Sequence, residues 1–188
     1  SKHIFCIEGS WSNDFKDKAS ILAALEFLKC NAEIDFIRKE CIEPEAFKVL
    51  LQTAMQKGYV KYGIVYLAFH GSSRCLHIGK RKKIDLDTIA DIIEDSAQNK
   101  IIHFGSCSTL KGVTAWELKR FLNKTGAAAI SGYTRDIDFI ESTVLDILYF
   151  KKCQQYIRTP LVKTQRDMKQ YYGKLIAELG FKIYFNKK

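Results

Sequence analysis

Residues 62–69, YGIVYLAF, decide the fold: the run is apolar nearly throughout and passes straight into His70-Gly71-Ser72-Ser73. A strand covered by helices on both faces has this composition, whereas a strand with one wet face alternates. A second such run, residues 100–105 (KIIHFG), passes straight into Ser106-Cys107-Ser108-Thr109. Outward from this pair the chain alternates between two kinds of pattern. Residues 3–8 (HIFCIE), 33–38 (EIDFIR), 127–132 (AAAISG) and 181–185 (FKIYF) have strand character. Periodicity predicts helices over 18–29, 44–56, 85–95, 114–123, 138–152 and 160–179, with Pro44 opening the second and Glu43 and Glu45 near its positive end. Residues 74–86 predict a hairpin around the basic tip Lys80-Arg81-Lys82-Lys83. The order implies one α/β domain over 1–188, a three-layer α/β/α sandwich with a mostly parallel sheet of about five to six strands.

At 188 residues, 47% hydrophobic and 27% charged, the chain has the composition of a soluble globular domain and can bury a sizeable core. No apolar run approaches the roughly 18 residues of a bilayer span, so no membrane association is expected. The first residues enter a strand-like run without an export-signal pattern. The six cysteines lack paired spacing, which fits reduced thiols in a cytoplasmic protein and implies no metal site; no cofactor is expected. The net charge of +9 could attract polyanions, but the basic residues are spread along the chain, so nucleic acid is not the expected partner.

The chemistry sits at the two strand ends. In a parallel sheet, sites form where the strands' carboxyl ends meet solvent. If the two strands are neighbours, His70 and Cys107 emerge on one rim despite the 37 positions between them (107 − 70). Cysteine hydrolysis needs this pair: the thiolate is the nucleophile, and an imidazole takes its proton and later protonates the leaving amine. The backbone N–H groups of Gly71 and Cys107 are placed to receive the developing oxyanion, and a side chain at position 71 would crowd the attacked carbonyl. Against this stands the ordinary behaviour of cysteine as a small buried hydrophobe.

The segments YLAFHGSS and IIHFGSCST resemble the caspase/separase clan of cysteine peptidases, which includes metacaspases, clostripain-like and CHAT-domain enzymes. A third segment, residues 132–138 (GYTRDID), is similar to the loop that lines the P1 pocket in that clan. The resemblance covers about residues 3 to 150. It implies His70 as general base and acid, Cys107 as nucleophile, and Gly71 with Cys107 as the oxyanion hole. The implied function is a cysteine endopeptidase of protein or peptide substrates, in signalling or defence; the alternative is a catalytically silent module of the same fold that binds a partner or ligand. Two features depart from the caspase pattern. The nucleophile consensus Q-A-C-[RQG]-G is replaced by Phe104-Gly105-Ser106-Cys107-Ser108, and residues 108–125 are too short and too helical for a cleavable linker.

Candidate substrate-binding residues are Tyr133, Asp136, Asp138 and Trp11. The two carboxylates beside the implied pocket would favour Arg or Lys at P1, although Asp138 also suits the N-cap of the following helix. Trp11 follows the first strand and either walls the same rim or packs. His103, inside its strand, reads as structural, His77 as surface, His3 as structural and Cys75 as a buried thiol.

Overall fold

The computed structural model describes residues 2–12, 14, 16, 18–79, 82–155 and 160–185. The elements run β1 (Ile4–Glu8), α1 (Leu22–Ala32), β2 (Phe36–Glu40), α2 (Pro44–Met55), β3 (Ile64–Ala68), β4 (His70–Ser72), β5 (Cys75–Ile78), β6 (Lys82–Asp85), α3 (Leu86–Ile93), β7 (Ile101–Gly105), α4 (Ala115–Thr125), β8 (Ala129–Tyr133), α5 (Phe139–Gln155), α6 (Pro160–Leu179) and β9 (Phe181–Tyr184). The central sheet has six strands in the order β2-β1-β3-β7-β8-β9. Its first five strands are parallel, and β9 pairs antiparallel with β8. This is the expected three-layer sandwich.

Alternation along each strand builds a separate core on each face. Phe5 and Ile7, Val65 and Leu67, and Ile102 and Phe104 point to one side, where α2, α3 and α4 supply residues such as Phe47, Leu51, Ile89 and Leu122. Ile4 and Cys6, Ile64 and Tyr66, and Ile101 point to the other, where α1, α5 and α6 supply Leu25, Leu28, Tyr149, Phe150 and Met168. Because β1, β3 and β7 are buried throughout, their sequences read as continuous apolar runs.

Local chemistry sets the helix ends. Thr114 and Glu117 form a reciprocal capping box on α4, and Gly126 closes that helix in the left-handed region. Asp85 caps α3 through the Thr88 N–H at 2.7 Å. Helix α1 starts at Leu22, four residues later than the periodicity predicts, because Ser20 and Ile21 are drawn into hydrogen bonds with Glu8. Residues 33–35 do not belong to the second strand: Glu33 ends α1 with φ 54°, and β2 begins at Phe36. Helix α6 is broken at Tyr172 (φ −128°, ψ 22°).

The expected hairpin is a three-stranded antiparallel sheet, β4-β5-β6. Its first strand, His70–Ser72, has no apolar alternation and was therefore invisible to the pattern. Of the basic tip, Lys80 and Arg81 lie outside the described residues; Lys82 and Lys83 belong to β6.

Candidate active site

Strands β1, β3 and β7 are neighbours, and their last residues, Glu8, Ala68 and Gly105, are in register. His70 and Cys107 each lie two residues beyond such an end, so they reach the same rim at the same height. Both line a cavity of about 100 Å³, together with Trp11, Tyr66, Phe139 and Asp146 among others.

His70 is exposed, and its Nε2 donates to the Trp11 carbonyl at 2.8 Å. A carbonyl only accepts, so Nε2 carries the hydrogen and Nδ1 of the neutral ring is left as a bare acceptor. The Trp11 indole stands edge-on to this ring, centroids 5.3 Å apart, and edge-on to Phe139 at 5.1 Å.

Cys107 is half-buried on a tight loop tied to β8 and the residues after it. The N–H of Ser108 donates to the Arg135 carbonyl (2.8 Å) and that of Leu110 to Tyr133 (2.9 Å). The Ser108 hydroxyl donates to Asp136 (2.6 Å), holding a residue with φ 53°. The Cys107 N–H enters no backbone hydrogen bond among the described residues. Its thiol donates to the Ile137 carbonyl at 3.7 Å rather than to the His70 ring.

Glycines bring these pieces together. A Cβ on Gly71 would lie 2.4 Å from Thr109 Oγ1 and 2.6 Å from the Cys107 carbonyl oxygen. The Cys107 loop itself therefore forbids a side chain there. A Cβ on Gly105 would lie 2.3 Å from the Tyr66 ring, which crosses the end of β7.

Beneath the cavity lies a closed polar network. Asp146 on α5 is buried and accepts from Tyr66 Oη (2.7 Å), Tyr133 Oη (2.5 Å) and His103 Nε2 (2.8 Å); His103 Nδ1 meets Ser131 Oγ at 2.9 Å. With Asp146 accepting at Nε2, that nitrogen carries hydrogen, and the ring has no free position. Burial and the Asp146 charge push both tyrosine hydroxyls well above their ordinary pKa, keeping them as donors.

The sequence-predicted site residues thus divide. His70, Cys107 and Trp11 meet at the cavity. Tyr133 is fully buried under it, facing Asp146 and the Ser142 carbonyl, because alternation along β8 turns it into the core with α5. Asp136 is exposed and holds Ser108. Asp138 caps α5, accepting from the N–H groups of Ile140 (2.8 Å) and Glu141 (2.9 Å). His3 accepts from the Asp35 N–H at 3.1 Å. His77 is not a free surface residue: it lies half-buried across the β4–β5 ladder from His70 and bonds Ser72 Oγ at 2.8 Å. Cys75 is likewise half-buried. The sequence reading missed Asp146, Tyr66 and Glu8. Asp146 had a signal, since a lone acid between Leu145 and Ile147 interrupts an apolar helix face.

All six cysteines are free thiols. Burial pushes Cys153 up to about 12 and Cys6 well above the ordinary thiol range, which leaves both unreactive. Among the described residues no cluster of three His, Cys, Asp or Glu is placed to hold a metal, and no helix is long and apolar enough to cross a membrane.

A family model described as a family of unknown function, DUF6642, matches residues 1–185. The chain belongs to DUF6642. No curated protein matches this DUF6642 sequence. Among solved structures, the DUF6642 chain is similar to a secreted C11 cysteine protease from Bacteroides thetaiotaomicron, determined with an irreversible peptide inhibitor. The TM-score is 0.55 at 9% identity, over 93% of this chain and 60% of that one, so the likeness is one of fold and this chain spans less than two thirds of the protease. The six-stranded, mostly parallel sandwich is therefore a caspase-like fold by structural similarity.

Proposed function

We propose that this chain is a cysteine endopeptidase that cleaves peptide bonds through Cys107 and His70. The observation that carries this is their convergence on one cavity, with the His70 ring oriented by the Trp11 carbonyl so that Nδ1 is free to take a proton. The thiol proton passes to His70 Nδ1, and the sulfur attacks the substrate carbonyl carbon. The carbonyl π electrons move to oxygen, giving a tetrahedral oxyanion. Collapse breaks the C–N bond, His70 returns its proton to the leaving amine, and a thioester remains. Water, deprotonated by His70, then attacks the thioester; the acid product leaves and the thiol is restored. The N–H groups of Cys107 and Gly71 serve the oxyanion. Alternate pairs in an antiparallel ladder are hydrogen-bonded, and with Ser72–Cys75 closing the two-residue turn, Gly71 falls on a pair whose N–H is not spent on β5.

The substrate preference is a basic P1 residue. Trp11, Ile21, Ile137 and Phe139 give the cavity an apolar wall that suits the aliphatic stem of Lys or Arg, and the acid that lines it is Asp146 rather than Asp136 or Asp138. Acyloxymethyl-ketone probes and fluorogenic peptides carrying Arg, Lys or Asp at P1 test this. Labelling and cleavage with Arg or Lys, lost in Cys107→Ala, are expected, and Asp146→Asn should narrow the margin over neutral P1 residues. Cleavage that survives Cys107→Ala overturns the proposal; faster cleavage after Asp than after Arg overturns the P1 preference.

A second reading, a silent module that binds a partner at the same rim, draws on one observation: the Cys107 thiol is turned to the Ile137 carbonyl, not to His70. Catalytic hydrogen bonds often tighten only when substrate binds. A Cys107 that no active-site probe labels would favour the module.

A further inference from the structure

We propose that Glu8 is a positioning residue for the His70–Cys107 pair, acting through Trp11; this rests on the peptidase reading above. Glu8 ends β1, paired with Ala68 at the end of β3, two residues before His70, and is 1% exposed. A carboxylate taken out of water needs compensation at every lone pair, and Glu8 has it. Its Oε1 accepts from the Trp11 indole N–H (2.5 Å) and the Ile21 N–H (2.8 Å). Its Oε2 accepts from the Ser20 hydroxyl (3.0 Å) and from Arg38.

Two of those donors, Trp11 and Ile21, stand near the two ends of the connection between β1 and α1, and both line the cavity. One buried carboxylate therefore pins one wall of the cavity near both ends. Ile21 and Ser20 precede α1, whose N-terminal dipole favours a negative charge at this spot. Trp11 carries the effect to the reacting groups. Its indole N–H is tethered to Glu8 while its backbone carbonyl takes the His70 Nε2 hydrogen, so the tether fixes the acceptor that sets the tautomer of His70. Glu8 has no hydrogen bond to His70 or Cys107 among the described residues; it positions rather than reacts.

Trp11→Phe is the sharper variant, because it keeps a ring and the backbone carbonyl and deletes only the indole N–H and its bicyclic bulk; Glu8→Gln removes the charge. Two measurements need no substrate. Nitrogen-15 NMR reads the His70 tautomer, and peptide mass spectrometry follows iodoacetamide alkylation of Cys107 against pH beside the exposed Cys30. In the unchanged protein His70 is expected in the Nε2–H form and Cys107 to react faster than Cys30. Both variants should show mixed tautomers and a Cys107 rate at neutral pH about tenfold lower, as less of the thiol is activated by a correctly oriented ring. Trp11→Phe should do so with an unchanged melting curve. A Cys107 no more reactive than Cys30 in the unchanged protein overturns the peptidase reading and this proposal with it. A reactive Cys107 whose rate and His70 tautomer are unmoved in both variants overturns this proposal alone.

Discussion

His103 lies within β7 and His70 follows the end of β3, the strand paired with it, yet their surroundings are opposite. His103 is fully buried, and both ring nitrogens are committed, one to Ser131 and one to Asp146. His70 is exposed, and its ring makes one hydrogen bond among the described residues, to the Trp11 carbonyl. The same side chain is a structural tie where every donor and acceptor is spent and, on the proposed reading, a proton carrier where one nitrogen is left open at the cavity that Cys107 also lines. Saturation of partners, more than burial or position in a motif, separates the two.

Four changes test that contrast, in order of expected effect. His70→Ala should lower kcat/KM by about 10²–10⁴, the range of general acid–base catalysis, without a matching loss of stability. A fluorogenic peptide assay beside a urea melt checks this, and equal losses in both would erase the distinction. His103→Ala should do the reverse. It leaves Asp146 and Ser131 short of a partner inside the core, a loss of about 3 kcal/mol in the urea melt. Alkylation of Cys107 in the folded fraction should remain fast.

Gly71→Ala sits between the two. The added methyl meets Thr109 and the Cys107 carbonyl, so it should cost about 1–3 kcal/mol and slow Cys107 alkylation together. A neutral outcome would mean the loop yields. The smallest effect belongs to His77. Burial, then the charges of Lys83 and His70, lower its pKa in the folded protein from the ordinary 6.5. As pH falls, the unfolded chain therefore takes up the proton first. The contribution of His77 is full above about 6.5 and is lost as pH drops below it. His77→Gln should flatten the difference in urea midpoint between pH 7.5 and 5.5.

The fold was legible because β1, β3 and β7 are covered on both faces and so betray themselves as unbroken apolar runs. The His70–Cys107 rim followed from the same signal, since His70 directly follows one such run and a single residue separates Cys107 from the other. What pattern could not supply was anything set by a single long-range contact. Glu8 looks like an ordinary polar strand end until Arg38, Trp11 and Ile21 close around it. Tyr133 seemed available to a substrate until α5 covered it with Asp146. The late start of α1 has the same origin, because apolar periodicity continued through residues that the Glu8 carboxylate had claimed. Strand β4 was hidden for another reason: His70, Gly71 and Ser72 carry no apolar side chain and leave no alternating rhythm.

Edge strand β9 runs against β8, placing Tyr184 beside Ile130 at the sheet margin away from Cys107. Lys2 enters at that same margin, tied to Gln154 and Asn99. A tether to a sensor chip or a fluorophore on either flank would therefore leave the cavity mouth facing solution, so immobilised protein can be interrogated with probes without blocking their entry.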